Sequence, residues 1–304
     1  MTKVELEGDR IRCGRFALTL ERTLRVPADG KTYPLPPSFS SFPIVFAPES
    51  ARKLPLWIQK DAFLAPVHQF EALWLRFEAA DWKPNAVQIG SGGINVITGE
   101  PFPSPLRKRR PNYVVCPLQP WLDGFKTESG AVRQFVAAPL GSGVAVSEQL
   151  GGAPEAPALQ LRVFEPKPGI FPDKPPKGHD RYGMMLESMP MGLGAGGAIA
   201  QQVFADPNKA GTWNEKDYSD ISIYLLNSEQ FSEITGRPAP DSPISAAEYS
   251  RAGLPWFDFY DETQRDLKPS AKMSGVKPLS LDDAPADPAL VRRIHRRRTR
   301  PENK

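Results

Sequence analysis

The stretch EALWLRFEA, residues 71–79, alternates apolar side chains with other side chains at a period of two. Successive side chains of an extended chain point to opposite faces, so Leu73, Leu75 and Phe77 would share one face. The residues between them, Trp74 among them, would share the other face. The stretch therefore predicts a β-strand that buries one side in a core.

Segments of the same kind recur along the chain, separated by turns rich in glycine and proline. Proline makes up 34 of the 304 residues, about twice its usual share, and proline interrupts helices. Short strands at this spacing favour a mainly β fold, an antiparallel β-sandwich with a barrel as the alternative. The segments interpreted as strands are 16–26, 86–100, 112–117, 132–140, 143–150 and 159–166.

The chain divides into four parts by composition. Residues 1–165 are predicted to form the β-sandwich domain, and 166–180 a proline-rich linker. Residues 181–280 form a smaller α+β part, with strands predicted at 199–205 and 220–227 and helices at 227–236 and 245–253. Residues 281–304, acidic and then basic, are predicted to be a disordered tail.

The stretch MGLGAGGAIAQQVFADP, residues 191–207, contains the pattern G-x-G-x-x-G. A dinucleotide-binding turn needs a hydrophobic strand before the first glycine and a helix after the last. Pro190 stands where that strand would be, and Ile199, Gln201 and Val203 alternate as in a strand. We therefore predict a turn, bulge or close backbone contact, and neither a dinucleotide nor another cofactor.

Composition excludes further classes of site and protein. The two cysteines, Cys13 and Cys116, are far apart in the sequence, which favours free thiols and a reducing cytoplasm. His68, His179 and His295 have no metal-binding spacing, so no metal site is expected. Neither a membrane span nor a secretory signal is predicted, because no apolar run is long enough.

The stretch QPWLDGFKTESGAVRQF, residues 119–135, carries the most distinctive candidate site. It sets a tryptophan beside a carboxylate at an Asp-Gly turn. One hypothesis is a ligand-binding surface for carbohydrate, composed of Trp121, Asp123, Arg133 and Gln134. A second is a glycosidase-like hydrolase that uses Asp123 and Glu128 as its carboxylate pair. The third possibility is a core tryptophan with a structural Arg–Asp pair.

A second aromatic cluster occurs in PWFDFYDE, residues 255–262. Clustered aromatic side chains anchor one segment on another, or bind a partner when they are exposed. We predict a partner-binding site, and with it the alternative that the protein is a structural subunit of a larger assembly. The residues of this site are Trp256, Phe257, Phe259 and Tyr260.

The basic residues are concentrated in two places, Arg107–Arg110 and the end of the chain. Residues 288–304 hold seven basic residues and one acid, so the rest of the chain is mildly acidic despite a net charge of +3. Nucleic acid, an acidic lipid surface or an acidic protein are the partners that such patches attract. We expect only weak binding of this kind, through the tail.

The landmarks PWLDG, VRQFVA, GLGAGG and GLPWFDFYDE resemble those of a group of bacterial and fungal proteins with no assigned activity. The resemblance extends over most of residues 20–280 and implies a shared fold without indicating any chemistry. The sequence as a whole predicts a non-catalytic cytoplasmic binding or scaffold protein, with carbohydrate or another protein as its ligand.

Overall fold

The computed structural model describes residues 2–50, 54–128, 130–153, 156–174, 192–238, 240–241 and 266–279. Within these residues the protein is mainly β and contains two mixed sheets arranged as a β-sandwich. The predicted fold class is confirmed, and no closed barrel forms in this part of the chain. The elements are numbered below in chain order.

The first sheet has ten strands among the described residues. They are β1 Val4–Glu7, β2 Arg10–Cys13, β3 Phe16–Thr23, β4 Thr32–Tyr33, β5 Ser38–Ser41, β8 Ala72–Glu78, β12 Trp121–Leu122, β13 Gly124–Glu128, β14 Ala131–Ala138 and β16 Gly192–Ala200. The main order is β1-β2-β3-β8-β14-β16-β4, while β5 pairs with β3, β12 with β8, and β13 with β14. All of these pairs are antiparallel except β16 with β4.

The second sheet has seven strands in the same part of the chain. They are β6 Val45–Phe46, β7 Phe63–Pro66, β9 Asn85–Ser91, β10 Ile94–Asn95, β11 Val114–Cys116, β15 Leu159–Pro166 and β17 Trp213–Leu226. The order is β10-β9-β15-β17-β7-β6, with β11 beside β9. Only β17 and β7 pair in parallel.

One hydrophobic core lies between the two sheets. Leu20 and Leu75 enter it from the first sheet, and Ile89 and Leu161 enter it from the second. Each is at most 1 % exposed, so each contributes nearly the full free energy of burying its side chain. The alternation in residues 71–79 is confirmed, since Leu73, Leu75 and Phe77 face this core and the residues between them do not.

The described helices are short: α1 Ala47–Ser50, α2 Val146–Gln149, α3 Ser228–Thr235 and α4 Ala271–Ser274. The predicted helix at 227–236 is confirmed as α3, which Asn227 caps at its start and Gly236 ends in a left-handed conformation. The predicted strand at 143–150 is wrong, because α2 occupies it. The Glu148 carboxylate accepts hydrogen bonds from the amides of Gly141, Gly143 and Ala145, which hold this segment in a tight turn.

The glycine stretch lies inside strand β16, antiparallel to β14. A Cβ atom on Gly197 would lie 2.1 Å from the carbonyl oxygen of Pro27, and one on Gly196 would lie 2.6 Å from Val136. The glycines therefore permit close packing of neighbouring chain segments, as expected for the close-contact interpretation. The strand includes the glycines themselves, whereas the sequence placed it only after them.

Residues before the predicted linker and residues after it contribute strands to both sheets. Strand β16 lies beside β14 in the first sheet, and β17 lies between β15 and β7 in the second. The predicted linker begins inside β15, which ends at Pro166. Residues 175–180, the helix predicted at 245–253 and the tail 281–304 lie outside the described residues.

Candidate binding site

The side of β8 that faces away from the core carries Trp74 and Arg76. Strand β12 places Trp121 directly opposite Arg76, and β3 places Glu21 directly opposite Trp74. Directly opposed residues share a face of the sheet. These four residues, Glu21, Trp74, Arg76 and Trp121, are called the tryptophan face below.

The two tryptophans of this face are diagonal neighbours on adjacent strands. Their ring centroids are 6.1 Å apart and the ring planes make an angle of 59°. Both side chains are half-buried, so each packs on the protein while keeping part of its surface in solvent. The arrangement is an open aromatic surface two rings wide.

A charged pair lies beside the rings. The Arg76 guanidinium Nε is 3.0 Å from the Glu21 carboxylate, an ion pair without good hydrogen-bond alignment. The other Glu21 oxygen accepts a hydrogen bond of 2.7 Å from the Ser38 hydroxyl. The Glu21 side chain is 4 % exposed and that of Arg76 27 %, so the pair is fixed beneath the surface and reaches solvent through the arginine.

Two buried donors next to Glu21 have no acceptor among the described residues. One is the Trp74 indole Nε1, and the other is the hydroxyl of Ser41, which lies opposite Glu21 on β5. Buried polar groups in folded proteins are nearly always hydrogen-bonded, to protein, to water or to a ligand. Two orphan donors on either side of one carboxylate therefore mark this place as one where polar atoms of a bound molecule or ordered water belong.

The combination suits a ligand with both apolar and hydroxyl surfaces. An indole face is electron-rich and packs against C–H groups, while the Arg76 guanidinium, which reaches solvent beside the rings, supplies directional hydrogen bonds. Ligand sites typically combine aromatic walls with a few fixed polar groups of this kind.

Of the residues predicted from the sequence, Trp121 lies in the tryptophan face, whereas Asp123 is buried behind it. Asp123 is 1 % exposed, and its carboxylate accepts a 2.6 Å hydrogen bond from the side chain of Gln201. The Asp123 backbone N–H donates to the same Gln201 side chain. Burial raises the pKa of Asp123 to about 7, against the hydrogen bond from Gln201, which lowers it.

The remaining predicted residues have other partners. Arg133 forms an ion pair of 2.9 Å with Glu128, the acid proposed as the second carboxylate of a hydrolase. Gln134 is fully buried, and its side-chain amide donates to the carbonyl of Leu24 and accepts from the amide of Val26. These contacts connect strand β14 to the chain that follows β3.

The second predicted site, Trp256, Phe257, Phe259 and Tyr260, lies outside the described residues. A cluster of three or more metal-ligating side chains does not occur in the described part of the chain. In the same part, no helix is both long and apolar enough to cross a membrane.

Sequence reasoning missed Trp74, Arg76 and Glu21 as site residues. The period of two in residues 71–79 already placed Trp74 and Arg76 on the side away from the core. What the sequence did not contain is the strand order, which brings β3 and β12 to opposite edges of β8 and so brings Glu21 and Trp121 to the same place.

No family model, curated protein or solved structure matches this chain. The resemblance of the PWLDG and GLPWFDFYDE landmarks to a protein group therefore stays a prediction, and the site is interpreted from its own chemistry.

Proposed function

We propose that the protein is a non-catalytic binding protein and that its ligand is a carbohydrate bound on the tryptophan face. The observation that carries the proposal is the pair of half-buried indole rings next to a fixed Arg76–Glu21 pair. Beside that pair lie two buried donors for which the described part of the chain offers no acceptor. A sugar ring offers C–H groups for the indole faces and hydroxyl groups for the polar side chains.

Burial argues for binding rather than hydrolysis. A glycosidase needs two carboxyl groups on either side of one scissile bond. The Asp123 carboxylate is enclosed in the sandwich with Gln201, while Glu128 is engaged by Arg133. The assembly alternative rests on residues 256–260, which lie outside the described residues.

A cytoplasmic location is part of this proposal. Cys13 and Cys116 are both buried free thiols, which is the usual state of cysteine in a reducing compartment. Protein partners of the tryptophan face are the competing ligand class, because exposed tryptophan and arginine are also common at protein interfaces.

The test is a glycan array followed by calorimetric titration of each bound glycan. We expect Trp121→Ala to weaken binding about thirtyfold, the effect of losing a central aromatic contact of about 2 kcal/mol. Trp74→Phe, which removes the indole N–H and keeps an aromatic ring, is expected to weaken binding less than Trp121→Ala does.

Trp82→Ala is the matched control, because Trp82 is also half-buried and contacts Arg15 instead of the tryptophan face. It should bind glycan as the wild type does. If no glycan binds, or if all three variants bind alike, the proposed function is wrong.

A further inference from the structure

The loop 104–112, which carries the basic run Arg107–Arg110, is fixed at both ends. The buried Asn112 side chain accepts from the backbone N–H of Arg107 and donates to Ser104 and Pro105, each at 3.0 Å. Arg107 also pairs with Glu100. These contacts therefore hold the loop in one conformation.

The next two arginines of the loop are not held in this way. Arg109 and Arg110 are both exposed, and no described residue provides an acceptor for either guanidinium. Arg110 has a φ of +56°, a left-handed conformation that is unfavourable for arginine. Such strain persists only where the surroundings impose it, and it is found most often at functional positions.

Two other loops join this one through a chain of contacts. Lys108 Nζ is 3.4 Å from the carboxylate of Asp206, which opens the loop 206–212. The carbonyl of Thr212 in that loop accepts from the amide of Lys167, at 2.9 Å. Lys209 and Lys167 are exposed as well. The three loops together present four basic side chains that have no acidic partner among the described residues: Arg109, Arg110, Lys167 and Lys209.

An exposed apolar side chain belongs to the same group of loops. Ile170 is 46 % exposed, and its amide donates to the carbonyl of Lys167 in the turn that carries both residues. The described chain has only two other large exposed hydrophobic residues, Phe39 and Leu56. A basic surface with an apolar side chain at its edge is the combination that binds anionic membrane surfaces, because charge and insertion act together.

We propose that loops 104–112, 167–170 and 206–212 form a site for anionic lipid headgroups at a membrane surface, with Ile170 entering the interface. This basic surface is independent of the tryptophan face and of its ligand. Arginine forks bind phosphate in a bidentate manner, and the lysines add charge attraction. The exposed isoleucine favours lipid over a nucleic acid duplex, whose phosphate backbone offers no apolar contact.

The experiment is sedimentation of the full-length chain with vesicles of phosphatidylcholine alone or of phosphatidylcholine mixed with phosphatidylserine. We expect binding only to the mixed vesicles, and weaker binding as salt screens the charges. Arg109→Gln with Arg110→Asn should weaken binding at least tenfold, since each basic residue near the surface contributes about fivefold. Asn is chosen at position 110 because it tolerates the left-handed conformation. Ile170→Ser should weaken binding about fivefold.

The matched controls remove exposed positive charge or an exposed apolar side chain at other places on the protein. Lys31→Ala with Lys60→Ala takes away two exposed charges, and Leu56→Ser takes away an exposed apolar side chain. Both should bind as the wild type does. The proposal is overturned if phosphatidylserine does not increase binding, if the arginine or isoleucine variants bind like the wild type, or if the controls lose binding equally. The basic residues 292–304 are unchanged in every variant. If that segment alone bound the vesicles, the arginine and isoleucine variants would bind like the wild type.

Discussion

At the scale of single residues, Asp123 shows how burial changes the chemistry of a group that the sequence marks as functional. Its raised pKa, about 7, comes mainly from loss of water around the carboxylate. An aspartate in an unfolded chain titrates near pH 4. Between about pH 4 and pH 7 the folded protein therefore holds a proton that the unfolded chain releases.

This difference makes stability depend on pH with a definite sign. The stabilisation from protonated Asp123 is full below about pH 4 and is lost as pH rises through about 7. Asp123→Asn cannot ionise and keeps the acceptor for Gln201. The variant should therefore gain stability over the wild type as pH rises from 4 to 7, by a few kcal/mol at most, because one pKa unit corresponds to about 1.4 kcal/mol.

Denaturant unfolding across this pH range measures the effect. A constant difference between Asp123→Asn and the wild type at every pH would contradict this account of Asp123.

At the scale of elements, strand β16 carries the pattern G-x-G-x-x-G, which is known from dinucleotide-binding turns. Here the pattern lies within a β-strand. Its glycines let the strand lie against Pro27 and β14 at distances that a Cβ atom would prevent. We expect Gly197→Ala to cost about 3 kcal/mol of unfolding free energy, as overpacking against backbone does. Gly194→Ala is the control, since its Cβ would meet only contacts of 3.3 Å or more and should cost much less. If Gly197→Ala and Gly194→Ala lost the same stability in thermal unfolding, close backbone approach would not be the reason for glycine at position 197.

Strand positions could be predicted because alternation depends only on the chain itself. Strands at 71–79 and 159–166 correspond to β8 and β15, and the helix at 227–236 corresponds to α3. Segment 143–150 was mistaken for a strand because its apolar spacing resembles that of a strand. The amides of Gly141 and Gly143 donate to the Glu148 carboxylate and hold the segment in a turn, and the sequence pattern does not reveal these hydrogen bonds. The tryptophan face was missed for a similar reason, since it depends on which strands become neighbours.

At the scale of the whole molecule, residues 266–279 are joined to the sandwich by a buried ion pair. The Lys126 side chain is inaccessible to solvent, and its ammonium group is 2.8 and 3.0 Å from the two oxygens of Asp266. The same carboxylate accepts from the backbone amides of Gly130 and Val203. One carboxylate thus connects β13, the loop after β16 and the later segment.

Removing that carboxylate should be costly. Asp266→Ala leaves a buried ammonium group without its partner, for which we expect a loss of about 3–5 kcal/mol in denaturant unfolding. Asp220→Ala breaks a bidentate pair with Arg162 at the surface and should cost less than about 1 kcal/mol. Lys126→Met combined with Asp266→Ala should recover part of the loss. A loss for Asp266→Ala as small as that for Asp220→Ala would contradict the connecting role of this pair.

The most direct test of the central claim is to follow the indole N–H signals of the tryptophans by NMR as a glycan from the array is added. A sugar ring packed on the two indole faces changes the surroundings of both rings, so both indole N–H signals report on its binding. The account predicts that the Trp74 and Trp121 signals shift together with the ligand concentration while those of Trp57, Trp82 and Trp213 stay in place. Shifts confined to the latter three, with Trp74 and Trp121 unmoved, would contradict carbohydrate binding on the tryptophan face.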